Sequence, residues 1–191
     1  MRTLIQIPLV HVPFGYWSKE RLDATFGKNP DPKIVRQIIQ GNRLYWDEVD
    51  AVLEETHVDR VYQEGSMVEY SEQEFLEGFG KYRWKDRNVD AFFRLLEREA
   101  QFVRTESTYA RNETTGRLSF RKPDPLEPND SFMAKTIDET LNDGETGVLF
   151  LGVEHDVDKI LNERYSNITA RRFHRDPAYL IPLLESIVIN K

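Results

Sequence analysis

Short apolar runs alternate with stretches of helical period along almost the whole chain, and this alternation constrains the fold more than any other feature. Arg2 to Val10 clusters β-branched and leucine residues and reads as a buried strand, followed by the Pro-Gly-aromatic loop His11 to Trp17. Ser18 caps a short helical stretch to about Phe26. Asp31-Pro32 then opens a longer helix, a capping residue followed by proline at the first helical position. Its apolar residues Ile34, Val35, Ile38, Ile39, Tyr45, Trp46, Val49, Val52 and Leu53 keep a helical period to about Thr56. Arg60 to Gln63 is a short strand ending in Glu64-Gly65, Ser71 to Tyr82 and Asn88 to Ala100 read as helices, and Phe102 to Thr105 is a strand ending in Glu106.

Tyr109 to Pro128 has no sustained period and is expected to form a long loop. Asn129 or Asp130 next caps a helix carrying Phe132, Met133, Ile137 and Leu141, which Gly144 ends. Thr146 to Gly152 is the cleanest buried strand, Asp156 to about Glu163 a helix, and Asn167 to Phe173 a polar strand suited to a sheet edge. Asp176-Pro177 starts a last helical segment, interrupted by Pro182. The pattern predicts an α/β fold: a mostly parallel sheet of four to five strands covered by helices, with a polar edge strand near the C-terminus.

Size and composition narrow the function. The 191 residues suit a single domain over 1–191, large enough to bury roughly 70% of the unfolded surface. With 33 acidic against 26 basic residues the net charge is -7, which argues against a nucleic-acid partner. The absence of cysteine excludes disulfides, thiolate metal sites and thiol catalysis. The longest uncharged runs, such as Thr3 to Phe14 and Thr146 to Val153, fall short of the ~18 residues of a membrane span. No signal or transit peptide is visible, so a cytoplasmic protein without a membrane partner is expected.

In open α/β sheets ligands bind beyond the carboxyl ends of the strands. Here the first strand exits into His11, the second into Glu64, the third into Glu106 and the fourth into Glu154-His155. A rim of His and Glu is the ligand set of a divalent metal such as zinc, manganese or cobalt, with a carboxylate left to act as general base. Glu154 faces away from its neighbours if the strand continues, which makes it a secondary candidate. Each residue also has a structural reading: loop packing for His11, a turn for Glu64, a pair with Arg104 or Arg111 for Glu106, a helix entry for His155. His57, closing the long helix against its dipole, and His174, in a basic strand end, are read as structural only. Neither a Gly-x-Gly-x-x-Gly nor a P-loop nor a Gly-x-Ser-x-Gly motif is present.

Two segments resemble the TraB/TIKI type of metal-dependent peptidase, part of a wider group with erythromycin esterase-like and ChaN-like proteins. That group carries two Gly-x-x-His motifs, one after the first strand and one after a late strand. The late motif is intact as Gly152-Val153-Glu154-His155, behind the strand Val148-Leu149-Phe150-Leu151. The early one reads Pro8-Leu9-Val10-His11-Val12-Pro13, with proline in place of glycine. Glu64 resembles the group's acidic residue after the second strand. Asn129-Asp130-Ser131-Phe132-Met133 is similar to its Arg-Asn or Arg-Asp helix start, with asparagine in place of arginine, and this makes Asp130 a secondary candidate. The chain is also similar to a set of short bacterial and archaeal proteins that share Thr105-Glu106-Ser107 and Gly144-Glu145-Thr146-Gly147.

The leading expectation is a metal-assisted hydrolase of amide or ester bonds in a small-molecule or peptide substrate. His11, His155 and Glu64 would bind the divalent cation, Glu64 or Glu106 would move the proton, and the loop 109–128 would cover the site. A non-enzymatic protein binding a metal, haem or small anion on the same scaffold is the alternative. A third reading is an interaction protein with a vestigial rim, whose long helix supplies a homodimer face.

Overall fold

The computed structural model describes residues 1–9, 32–67, 71–84, 86–106, 127–152 and 155–173. His11, Glu154 and His174, the short helix expected from Ser18, residues 109–126 of the expected loop and the last helical segment lie outside the described residues. The described chain runs β1 (Arg2–Leu9), α1 (Pro32–Glu55), β2 (Arg60–Met67), α2 (Glu72–Gly80), α3 (Arg87–Glu97), β3 (Gln101–Glu106), α4 (Glu127–Thr140), β4 (Thr146–Gly152), α5 (Val157–Arg164) and β5 (Ile168–Arg172). The five strands form one sheet in the order β3-β2-β4-β1-β5, and every pairing is parallel. This is the expected α/β fold, with polar β5 at an edge.

Alternation along the strands divides the core between the two faces of the sheet. Ile5, Ile7, Leu9, Val61, Val148 and Phe150 pack against Tyr45, Trp46, Val49 and Leu53 of α1 and against Ala91, Phe92 and Leu95 of α3. Phe75 and Phe79 of α2 join this layer, Phe75 stacking on Phe102 with centroids 5.1 Å apart. On the other face Leu4, Tyr62, Leu149, Leu151, Ile168 and Ala170 meet Met133, Ile137 and Leu141 with Val157 and Leu161 of α5. Because both faces are covered, β1 and β4 read as near-continuous apolar runs rather than as alternating ones.

Local signals set most of the boundaries. Ser71 and Glu74 form a capping box on α2, and the Asp86 side chain caps α3. Two expectations are corrected. Helix α4 starts at Glu127, so Glu127 and Pro128 are helical and Asp130 lies within the first turn; proline is tolerated there because early N–H groups have no intrahelical acceptor. Helix α1 ends at Glu55, so His57 does not close it; exposed beyond the end, its Nε2 lies 3.2 Å from Asp59 Oδ1.

Candidate functional site

The chain leaves β2 toward the face on which α2 packs and leaves β4 toward the opposite face, covered by α5. Adjacent strands whose connections part in this way leave a crevice at their carboxyl ends. Glu64 and His155 stand there.

Glu64 does not end β2, as the sequence suggests, but sits within it at an irregularity: the pairing with β3 shifts register between Gln63 and Met67. Gly65, at φ +79°, takes the left-handed conformation that a side chain disfavours. Ser66 secures the bulge, donating to the Gln63 carbonyl and accepting the Thr105 N–H at 3.2 Å. Such bulges re-aim side chains. Here the Glu64 Oε2 accepts the Gly152 N–H at 2.7 Å, so the carboxylate engages the last residue of β4 just beyond the end of the β2–β4 ladder.

His155 follows β4, and its N–H reaches back to the Gly152 carbonyl at 3.2 Å. The residue is 4% exposed. Its Nδ1 lies 2.5 Å from Asp130 Oδ1, while Asp130 Oδ2 accepts the Asp156 N–H at 2.9 Å. On the other side of the ring, Nε2 lies 3.6 Å from Glu64 Oε1. Burial on its own lowers the imidazole pKa, but the hydrogen bond to Asp130, the longer contact with Glu64 and the charges of both carboxylates outweigh it and raise the pKa to about 10.

The donor set fits a divalent cation in two respects. A carboxylate on Nδ1 with Nε2 left forward is the usual orientation of a metal-ligating histidine. The 3.6 Å gap from Nε2 to Glu64 Oε1 exceeds a normal N–H···O bond, and is close to the ~3.4 Å between two ligands each ~2.1 Å from one tetrahedral ion. Among the described residues no group of three or more His, Cys, Asp or Glu side chains is arranged to hold an ion. His155 and Glu64 supply two donors, and His11 lies outside the described residues.

Glu106 is the last residue of β3 and pairs in register with Met67 beyond the bulge. The structure thus brings together Glu64, His155 and Asp130 of the residues singled out in the sequence. Sequence reasoning missed what Asp130 does: a carboxylate expected to start its own helix instead holds an imidazole 25 residues away. It also missed Gln6, a fully buried polar residue in β1 whose amide contacts the segment following β4. The one available signal was a glutamine inside an apolar run. No helix among the described residues is long and apolar enough to cross a membrane. Comparison with family models, curated proteins and solved structures finds no significant match to this chain.

Proposed function

We propose that the chain is a metal-dependent hydrolase of amide or ester bonds, of the TraB/TIKI type, acting in the cytoplasm on a small-molecule or peptide substrate. The observation that carries this reading is the Asp130–His155–Glu64 chain of contacts at the crevice between β2 and β4. In this reading His155, releasing its Nε2 proton to solvent on binding, and Glu64 would hold a manganese, cobalt or zinc ion, with His11 as a further ligand. The bound ion supplies Lewis acidity, which makes a water deprotonate near neutral pH. Asp130 holds the ring through Nδ1 and thereby directs Nε2 into the crevice. The Gly152 N–H fixes one oxygen of Glu64 and leaves the other facing His155. Glu106, at the tip of the neighbouring strand, is the residue proposed to take and return the proton.

A titration of the purified chain with Mn²⁺, Co²⁺ or Zn²⁺ alone tests the reading. One ion should bind and raise the melting temperature, His155→Ala should abolish the effect, and the loaded chain should hydrolyse members of an amide and ester panel. Unchanged binding in His155→Ala overturns the site. Binding without hydrolysis favours the alternative, a non-enzymatic binding protein. That alternative draws support from the imidazole itself, both of whose nitrogens already face carboxylates.

A further inference from the structure

We infer that Gln6 and Arg172 are positioning residues that clamp the backbone of His155 and so fix where its imidazole sits; this rests on the reading of His155 as the centre of the site.

Gln6 is fully buried in β1, an interior strand whose other core residues, Leu4, Ile5, Ile7 and Leu9, are apolar. A leucine would fill such a position without needing partners, whereas a buried carboxamide must satisfy both its ends. The Gln6 side chain does so across a single segment. Its Nε2 donates to the His155 carbonyl at 3.4 Å, and its Oε1 accepts the Asp158 N–H at 3.0 Å in the first turn of α5. Arg172, from edge strand β5, donates through Nη1 to the same carbonyl at 3.0 Å and lies 3.6 Å from Asp156 Oδ1. Together with the His155 N–H bond to Gly152, these contacts hold the residue through its backbone from three strands: β4, β1 and β5. The backbone from which the ring projects toward Glu64 is therefore held independently of the ring's own partners. A group that must meet a second group within a few tenths of an ångström needs this kind of support.

The test uses the full chain with Gln6→Met and Arg172→Met, and Tyr62→Phe as a control. The control removes the Tyr62–Thr140 hydrogen bond between β2 and α4, which involves none of the clamp residues, and should lower the melting temperature alone. In the metal-free chain, the downfield proton resonance of His155 Nδ1–H should shift in both clamp variants and stay in place in Tyr62→Phe. With Co²⁺ alone as probe, Gln6→Met should weaken binding by roughly tenfold and change the visible spectrum of the bound ion, as loss of outer supports does at metal sites. An Nδ1–H resonance unmoved in both variants overturns the clamp, whatever the stability change. If His155→Ala abolishes Co²⁺ binding while both clamp variants bind with wild-type affinity and spectrum, the clamp fails and the ligand reading stands. If His155→Ala binds Co²⁺ like the wild type, the ligand reading fails and the clamp is decided by the resonance.

Discussion

Replacing Asp130 by asparagine removes one charge from the site and almost no volume. Asp130 is 4% exposed, and its two oxygens accept from the His155 ring and from the Asp156 N–H. An asparagine keeps one acceptor, so it cannot serve both the imidazolium Nδ1–H and the Asp156 N–H, and an amide turned to Asp156 leaves the buried ring donor without its partner, at about 1–3 kcal/mol. The electrostatic part follows from the imidazole. A pKa raised from 6.5 to about 10 in the folded state corresponds to ~4 kcal/mol in favour of folding near pH 7. Asp130 and Glu64 share that contribution, and Asp130, at 2.5 Å against 3.6 Å, holds the larger part. The expected loss at neutral pH is therefore ~2–4 kcal/mol, or a melting temperature lower by roughly 5–12 °C in a chain of this size.

The pH dependence has a definite sign. A histidine whose folded pKa is raised stabilises fully below 6.5 and loses that contribution as pH rises through about 10. The difference between wild type and Asp130→Asn should accordingly be largest at and below neutral pH and shrink toward pH 10. Urea unfolding of both proteins at several pH values, with a chelator present, measures it. A difference below ~0.5 kcal/mol, or one that does not change over this range, would refute the account of a buried imidazolium held by Asp130.

Three further outcomes are expected. The hydrogen bond from Arg60 lowers the Glu145 pKa to about 2, so the pair stabilises above about 4.5 and that contribution is lost as pH falls through about 2; Glu145→Gln should flatten this part of an acid-unfolding curve. Gly65→Ala meets no atom within 4 Å, so its effect is backbone strain of ~1–2 kcal/mol, read by urea unfolding, and a misplaced Glu64 should weaken metal binding further than the stability loss accounts for. Gly147→Ala would bring a methyl to 3.0 Å from both Leu4 and Tyr62; a loss of ~1–3 kcal/mol by overpacking is expected, with a stability equal to wild type contradicting it.

Legibility in the sequence tracked the range of the interaction. The positions of all five strands were readable because propensity and periodicity act within a few residues. Glu64 was readable as a residue at the carboxyl end of a strand, but the bulge that turns it toward β4 depends on Ser66 meeting Thr105 across two strands. Asp130 was read by its local role at a helix start, and its partner lies on another element.

The alternation of apolar runs and helical periods by itself determined a parallel, doubly covered sheet, because strands buried on both faces and linked by helices have few other arrangements. It also placed His155 just beyond the end of β4 and Glu106 at the end of β3. What only the tertiary structure decided was the strand order. β4 inserts between β2 and β1, and this brings Glu64 beside His155 and lets Gln6 of β1 reach the His155 carbonyl. Connection lengths do not encode that insertion. It arises from how two sets of helices share the two faces of one sheet, a matter of packing between segments as far apart in the chain as Arg2 and Ile168.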